Sequence, residues 1–267
     1  MPGRGPAAAT GSGWGTAWRA LPLELISLLL LLGVWQVLAT LFPGRLFPTP
    51  TAVALELWQH LTDGKLLADL GKTLSRAFVA FGIAMLLGTA IGIAFGRSRL
   101  LDRLFSSWVV IGLNLPAIVI AIVLYIWLGL NEFALVLAVV LNKLPLVVTT
   151  IREGVRSFAP DFDDLARAYR LSFWRRMRLI WVPQLMPFVL AAARTGLSLI
   201  WKIVLVFEVL GSDGGVGFRI SVFFQFFDIT GILAYSTAFI LVVFAFEYLV
   251  LRPFEGRVLR WRRRGSR

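Results

Sequence analysis

Ile229–Leu251 reads ITGILAYSTAFILVVFAFEYLVL, with one charged residue, Glu247. A helix rises about 1.5 Å per residue and the hydrocarbon core of a bilayer is about 30 Å thick, so roughly 20 mainly apolar residues cross it. This run is long enough. Comparable runs occupy Leu21–Phe42, Phe78–Phe95, Phe105–Leu128, Phe133–Ile151 and Leu185–Val209. The expectation is an all-α integral membrane protein with about six transmembrane helices.

Composition agrees. Of 267 residues, 58% are hydrophobic and 16% charged, and the mean hydropathy is +0.80. A water-soluble domain of this length needs more charge to cover its surface. The net charge is +12. Its basic residues flank the apolar runs, which fits anionic lipid head groups and topology control rather than nucleic acid. There is no cysteine and one histidine, His60, which leaves no disulfide framework and no cysteine or histidine metal cluster. No metal site and no catalytic residues are expected.

Residues 1–18 are rich in Gly, Ala and Pro and read as a disordered tail. Residues 19–262 form the transmembrane domain, and 263–267 a basic tail. Leu21–Phe42 is longer than the 7–15 apolar residues usual in a signal peptide, so it reads as a retained span. After Pro48-Thr49-Pro50, residues Val53, Leu57 and Leu61 share one helical face. This predicts a short amphipathic helix at the membrane surface or against the bundle, with His60 on its wet face.

Six spans put both termini on one side. Most of the 27 Lys and Arg fall in the segments on that side: Arg4 and Arg19; Arg97, Arg99 and Arg103; Arg152–Arg178; and Arg252–Arg267. The opposite segments hold Arg45, Lys65, Lys72, Arg76 and Arg219. The positive-inside rule therefore makes both termini cytoplasmic.

Gly88, Gly92 and Gly96 recur every four residues in the second span. They form a groove where another helix can approach closely, as membrane helix packing requires. Gly71-Lys72-Thr73 mimics the end of a phosphate-binding loop. The glycine that motif needs five residues earlier is Leu66, so the segment is not a nucleotide site. Lys143, Arg194, Lys202, Glu208 and Glu247 fall in or beside spans, where charge is costly unless it meets protein, water or a partner. Asn114, Lys143, Lys202 and Glu208 are the candidate pathway residues. Lys143 and Lys202 would give a positive lining suited to an anion. Packing between helices or snorkelling to the interface are the competing readings.

The longest charged loop is about residues 152–183. Asp161, Asp163 and Asp164 precede Leu165-Ala166-Arg167-Ala168-Tyr169-Arg170-Leu171, and acids at a helix start complement its dipole. The run Trp174-Arg175-Arg176-Met177-Arg178 then leads to Trp181-Val182-Pro183. Spacing alone leaves open a basic surface loop that anchors the fifth span.

This loop resembles the signature loop of binding-protein-dependent ABC importer permeases: E-A-A, three residues, G, nine residues, I, one residue, L-P. Asp164, Leu165 and Ala166 fall on the first three positions, Arg170 on the glycine, Ile180 on the isoleucine and Val182-Pro183 on the last pair. Arg170 departs from the pattern. If that glycine serves a turn of positive φ, Arg170 would be strained there. Elsewhere, Leu46–Pro50, Leu115-Pro116 with Trp127, Gly129 and Glu132, and Phe207-Glu208 with Gly214–Phe218 are similar to the nitrate, sulfonate, taurine and bicarbonate class. That class also carries uncharged organic molecules.

The resemblance implies a type I permease fold and a bacterial inner-membrane location. It implies partners: cytoplasmic ABC ATPase subunits that bind ATP and Mg, an extracytoplasmic solute-binding protein, and a second permease, expected as a homodimer. The loop carrying Asp164, Leu165, Ala166, Arg167, Arg170, Ile180 and Pro183 would dock on the ATPase. No cofactor is expected in this chain. A secondary transporter or channel, which needs no such loop, is the main alternative. An exporter and a membrane-embedded enzyme are weaker ones.

Overall fold

The computed structural model describes residues 17–251 and 253, apart from 43, 45, 159–161, 163, 165 and 167. For 17–22 and 24 only the backbone is described. The described part is helical throughout: α1 (Ala17–Leu41), α2 (Pro50–Thr62), α3 (Lys65–Arg97), α4 (Arg99–Asn114), α5 (Ala117–Leu128), α6 (Glu132–Arg156), α7 (Phe173–Gly211), α8 (Val216–Gln225) and α9 (Ile229–Leu251). The tails expected at 1–18 and 263–267 lie almost wholly outside the described residues.

By length and hydropathy, α3, α6, α7 and α9 can each cross a bilayer, and α4 with α5 adds a fifth crossing if the bent pair is one span rather than a re-entrant loop. α1 stands where the first span is expected, with Leu25–Leu41 as its described apolar stretch. The third span differs from expectation: it is not one helix. α4 and α5 meet at 99° across Leu115-Pro116. Pro116 has no N–H to give and forces Leu115 into an extended conformation (φ −67°, ψ 125°). The Asn114 amide donates back to the Val110 carbonyl at 2.8 Å.

α3 and α6 form the central pair. Each glycine of the α3 groove faces a β-branched residue of α6. A Cβ on Gly88 would lie 2.6 Å from Val147, one on Gly92 2.7 Å from Ile151, and one on Gly96 2.6 Å from Val155. The backbones approach as closely as those side chains permit, which supplies dispersion energy where lipid offers no hydrophobic drive. α7 then closes on α6, burying Leu197, Ile200, Val204 and Phe207 with Ala138 and Val139.

α2 packs against the bundle. Thr49 caps it by accepting from the Ala52 amide, and Pro50 occupies its first turn. His60 is not on the wet face. Its ring lies 5.6 Å from that of Phe223 and 5.2 Å from that of Tyr235, and its Nε2 is 3.1 Å from Glu56. The spacing 53, 57, 60 explains this, because His60 continues the face begun by Val53 and Leu57.

Gly92→Leu drives a side chain into Ile151 and the Val148 carbonyl. A loss of about 1–3 kcal/mol is expected, seen as a lower melting temperature in detergent. Gly33→Leu, with open space around it, serves as the control and leaves melting unchanged.

Candidate functional site

Two polar constructions cap the bundle. The arginine-rich end carries the loop between α6 and α7. Ala166, Ile180 and Trp181 are buried together there, with Phe158, Leu171 and Met177 packed on them. The Leu171 amide donates to the Ala166 carbonyl at 2.9 Å, closing the short turn of helix before Arg170. Arg170 itself has φ 46°. It stands at the position of the signature glycine and adopts the left-handed conformation that glycine takes without strain. The strain expected from the sequence is present, and the turn is kept.

The loop is braced from below. The Trp181 ring lies under the Arg97 guanidinium at 3.4 Å, with Arg176 at 5.0 Å. Asp102 of α4 pairs with Arg152 at 3.1 Å and Arg156 at 2.6 Å, tying α4 to α6. Met177–Trp181 is a turn of π-helix, followed by Pro183 in the first turn of the α-helical part of α7. A π turn re-aims the chain without breaking it. Above this base, Tyr169 is 74% and Trp174 78% exposed, with Phe173 and Arg170 exposed beside them. Asp164 is also exposed. Leu165 and Arg167 lie outside the described residues.

The opposite end holds a buried ionic latch. Glu208 is fully buried in α7. Its Oε1 accepts from Arg76 Nη1 at 2.7 Å, and its Oε2 from Thr73 Oγ1 at 2.8 Å and the Gly217 amide at 2.9 Å. Arg76 also donates to Glu132, Asp213 and the Gly214 carbonyl. About two turns before Arg76 on α3, Asp69 accepts from the Gly215 amide at 3.2 Å and from Arg219 at 2.9 Å. Thr73 Oγ1 accepts from the Val216 amide at 2.8 Å. Asp69, Thr73 and Arg76 share one helical face and clamp the loop 212–217 across the end of the bundle. The glycines are required here. Gly215 has φ 101°, and a Cβ on Gly217 would strike the Leu205 carbonyl.

Of the four candidate pathway residues, Glu208 is corrected: it has no exposed surface and its carboxylate is fully engaged, so it holds a loop and does not face a solute. Lys143 is 3% exposed in α6, with no ion pair among the described residues, whereas Lys202 is exposed on α7. The two therefore do not form one positive lining. Asn114 is exposed at the α4–α5 bend. Sequence reasoning missed Asp69, Thr73 and Arg76, because the hydropathy run begins at Phe78 while the helix begins at Lys65. The polar face at 69, 73 and 76 was the available signal.

Arg76→Ala strands the Glu208 carboxylate inside the protein, at an expected cost of about 3–5 kcal/mol. The double variant Arg76→Met with Glu208→Met removes both charges and should melt well above Arg76→Ala, as a thermal melt in detergent will report.

Residues 84–252 match the family described as binding-protein-dependent transport system inner membrane component. The putative aliphatic sulfonates transport permease protein SsuC of Bacillus subtilis is 25% identical, over 87% of this chain and 84% of that protein. The riboflavin transport system permease protein RibX of Chloroflexus aurantiacus is 27% identical over 91% of both. The taurine transport system permease protein TauC of Escherichia coli is 26% identical over 91% and 90%. Among solved structures, the MetNI methionine ABC transporter in inward-facing form shares the fold, with a TM-score of 0.63 at 16% identity over 73% of this chain and 96% of that one. The chain thus belongs to the binding-protein-dependent inner-membrane permeases, the multi-pass subunits of ATP-driven importers whose ATPase is a separate chain.

Proposed function

We propose that two copies of this chain pair around one pathway and import a small anion of the sulfonate, taurine or nitrate type. ATP and Mg act on partner ATPase subunits at the arginine-rich end, which is cytoplasmic together with both termini. An extracytoplasmic solute-binding protein delivers the solute at the latched end. The observation that carries the reading is the loop 162–181. It presents exposed Tyr169, Arg170, Phe173 and Trp174 on a base of buried Ala166, Ile180 and Trp181. An exposed aromatic and basic ridge on a buried apolar base suits protein docking.

Motion follows from the mount. Trp181 of α7 stacks with Arg97 of α3, and the loop follows directly from α6. A push on the loop therefore acts on three spans at once, and the pathway alternates by rigid tilting of helices. The riboflavin-transporting relative favours a second substrate class, a larger uncharged solute. Uptake of labelled taurine and labelled riboflavin by cells expressing the full transporter separates the two.

Tagged protein purified in mild detergent should retain its ATPase, whereas Asp164→Ala, Arg167→Ala and Arg170→Ala combined should lose it while eluting as the same folded species. A wild type that retains no ATPase under those conditions overturns the importer mechanism. Arg170→Gly should relieve the left-handed turn by about 0.5 kcal/mol after allowing for the freedom glycine adds to the unfolded chain. Amide exchange over 164–171 should slow in Arg170→Gly and quicken in Arg170→Val.

A further inference from the structure

The middle of α7 turns a polar face outward at membrane depth. Arg194, Ser198 and Lys202 follow at four-residue intervals, and all three are exposed. Lys202 lies roughly 13 Å inside the helix end at Gly211, at about 1.5 Å per residue. An ammonium there is stable against water, protein or an anion, and not against hydrocarbon. With Trp201 and Phe244, these residues line a cleft of about 500 Å³ between α7 and α9, and Glu247 closes one side. That volume lies within the roughly 300–1,000 Å³ of small-molecule sites. Arg194 already has an interaction partner, so the ammonium of Lys202 is the cation that the lining offers. The Ser198 hydroxyl adds a donor, and the two aromatic rings supply an apolar wall. An ammonium and a hydroxyl beside apolar walls fit a small organic oxyanion: oxygens toward Lys202 and Ser198, carbon toward the rings.

We propose that this cleft is an intramembrane station that binds the oxyanion group of the transported solute. The proposal rests on the importer reading and adds a location and a chemistry to it. An anionic lipid head group presents the same oxygens, and the test separates the two sources.

The chain has no cysteine, so Ser198→Cys carries a single thiol. In phosphatidylcholine vesicles, the anionic reagent sulfonatoethyl methanethiosulfonate should label it faster than the cationic trimethylammonioethyl reagent, after each rate is divided by its rate with free thiol. A preference of about tenfold or more is expected beside the Lys202 ammonium, and adding Lys202→Gln should abolish it. Leu86→Cys, on an exposed apolar face of α3, should label with neither reagent. Bath methanesulfonate or nitrate should slow labelling at position 198. Slowing that appears only when phosphatidylglycerol is added assigns the site to lipid and overturns the solute proposal. Labelling no faster than at Leu86→Cys, or a preference that survives Lys202→Gln, overturns it as well. Phe244→Cys on the facing wall repeats the measurement if Ser198→Cys folds poorly. ATPase retention is measured separately, so loss of this proposal leaves the importer reading standing, and the reverse.

Discussion

Lipid tails attract an apolar helix as well as another apolar helix does, so this fold depends on how closely α3 and α6 approach. Gly88, Gly92 and Gly96 allow that approach, and Val147, Ile151 and Val155 fill the groove. The same pair carries both capping constructions. α3 presents Asp69, Thr73 and Arg76 at one end and Arg97 at the other. α6 presents Glu132 at one end and Arg152 and Arg156 at the other. A shift of α3 against α6 would therefore be felt at both ends of the molecule.

The two ends are built on different physical terms. At the latch, Arg76, Glu208 and Asp69 are removed from water and are met by hydrogen-bonding partners. Arg76 uses its guanidinium on three carboxylates and a carbonyl. Such a network is costly to open partway, because parting Arg76 from Glu208 leaves a buried charge. At the arginine-rich end the contacts are a cation over an indole ring and surface ion pairs, which are individually weak and adjustable. The asymmetry gives a fixed loop at one end of the bundle and an adjustable one at the other.

Hydropathy located the spans because their length is set by the bilayer: Ile229–Leu251 ends where the run ends. It located them less well where helix and apolar run part company. α3 begins at Lys65, thirteen residues before the expected span, so the most informative arginine in the chain was assigned to a loop. The bend at Pro116 was hidden for a related reason. A window average over Phe105–Leu128 sees composition and not the missing amide. His60 was legible in the spacing but was outvoted by its polarity. The Gly-xxx-Gly-xxx-Gly groove was legible in full, since four-residue spacing and absence of side chains are both properties of sequence.

Arg170 shows what a departure from a pattern can say. A glycine in a family motif has two explanations: a close approach that a Cβ would block, or a positive φ that a Cβ disfavours. Arg170 is exposed, so nothing blocks its side chain, and its φ of 46° shows that the backbone requirement remains. The turn is therefore specified by its surroundings, by the Leu171–Ala166 hydrogen bond and the burial of Ala166 against Ile180 and Trp181, more than by the residue at the turn. An arginine tolerated at that strain adds a cation to the exposed ridge beside Tyr169 and Trp174. The chain thus gives up some local backbone comfort at the point where it has charge to offer a partner.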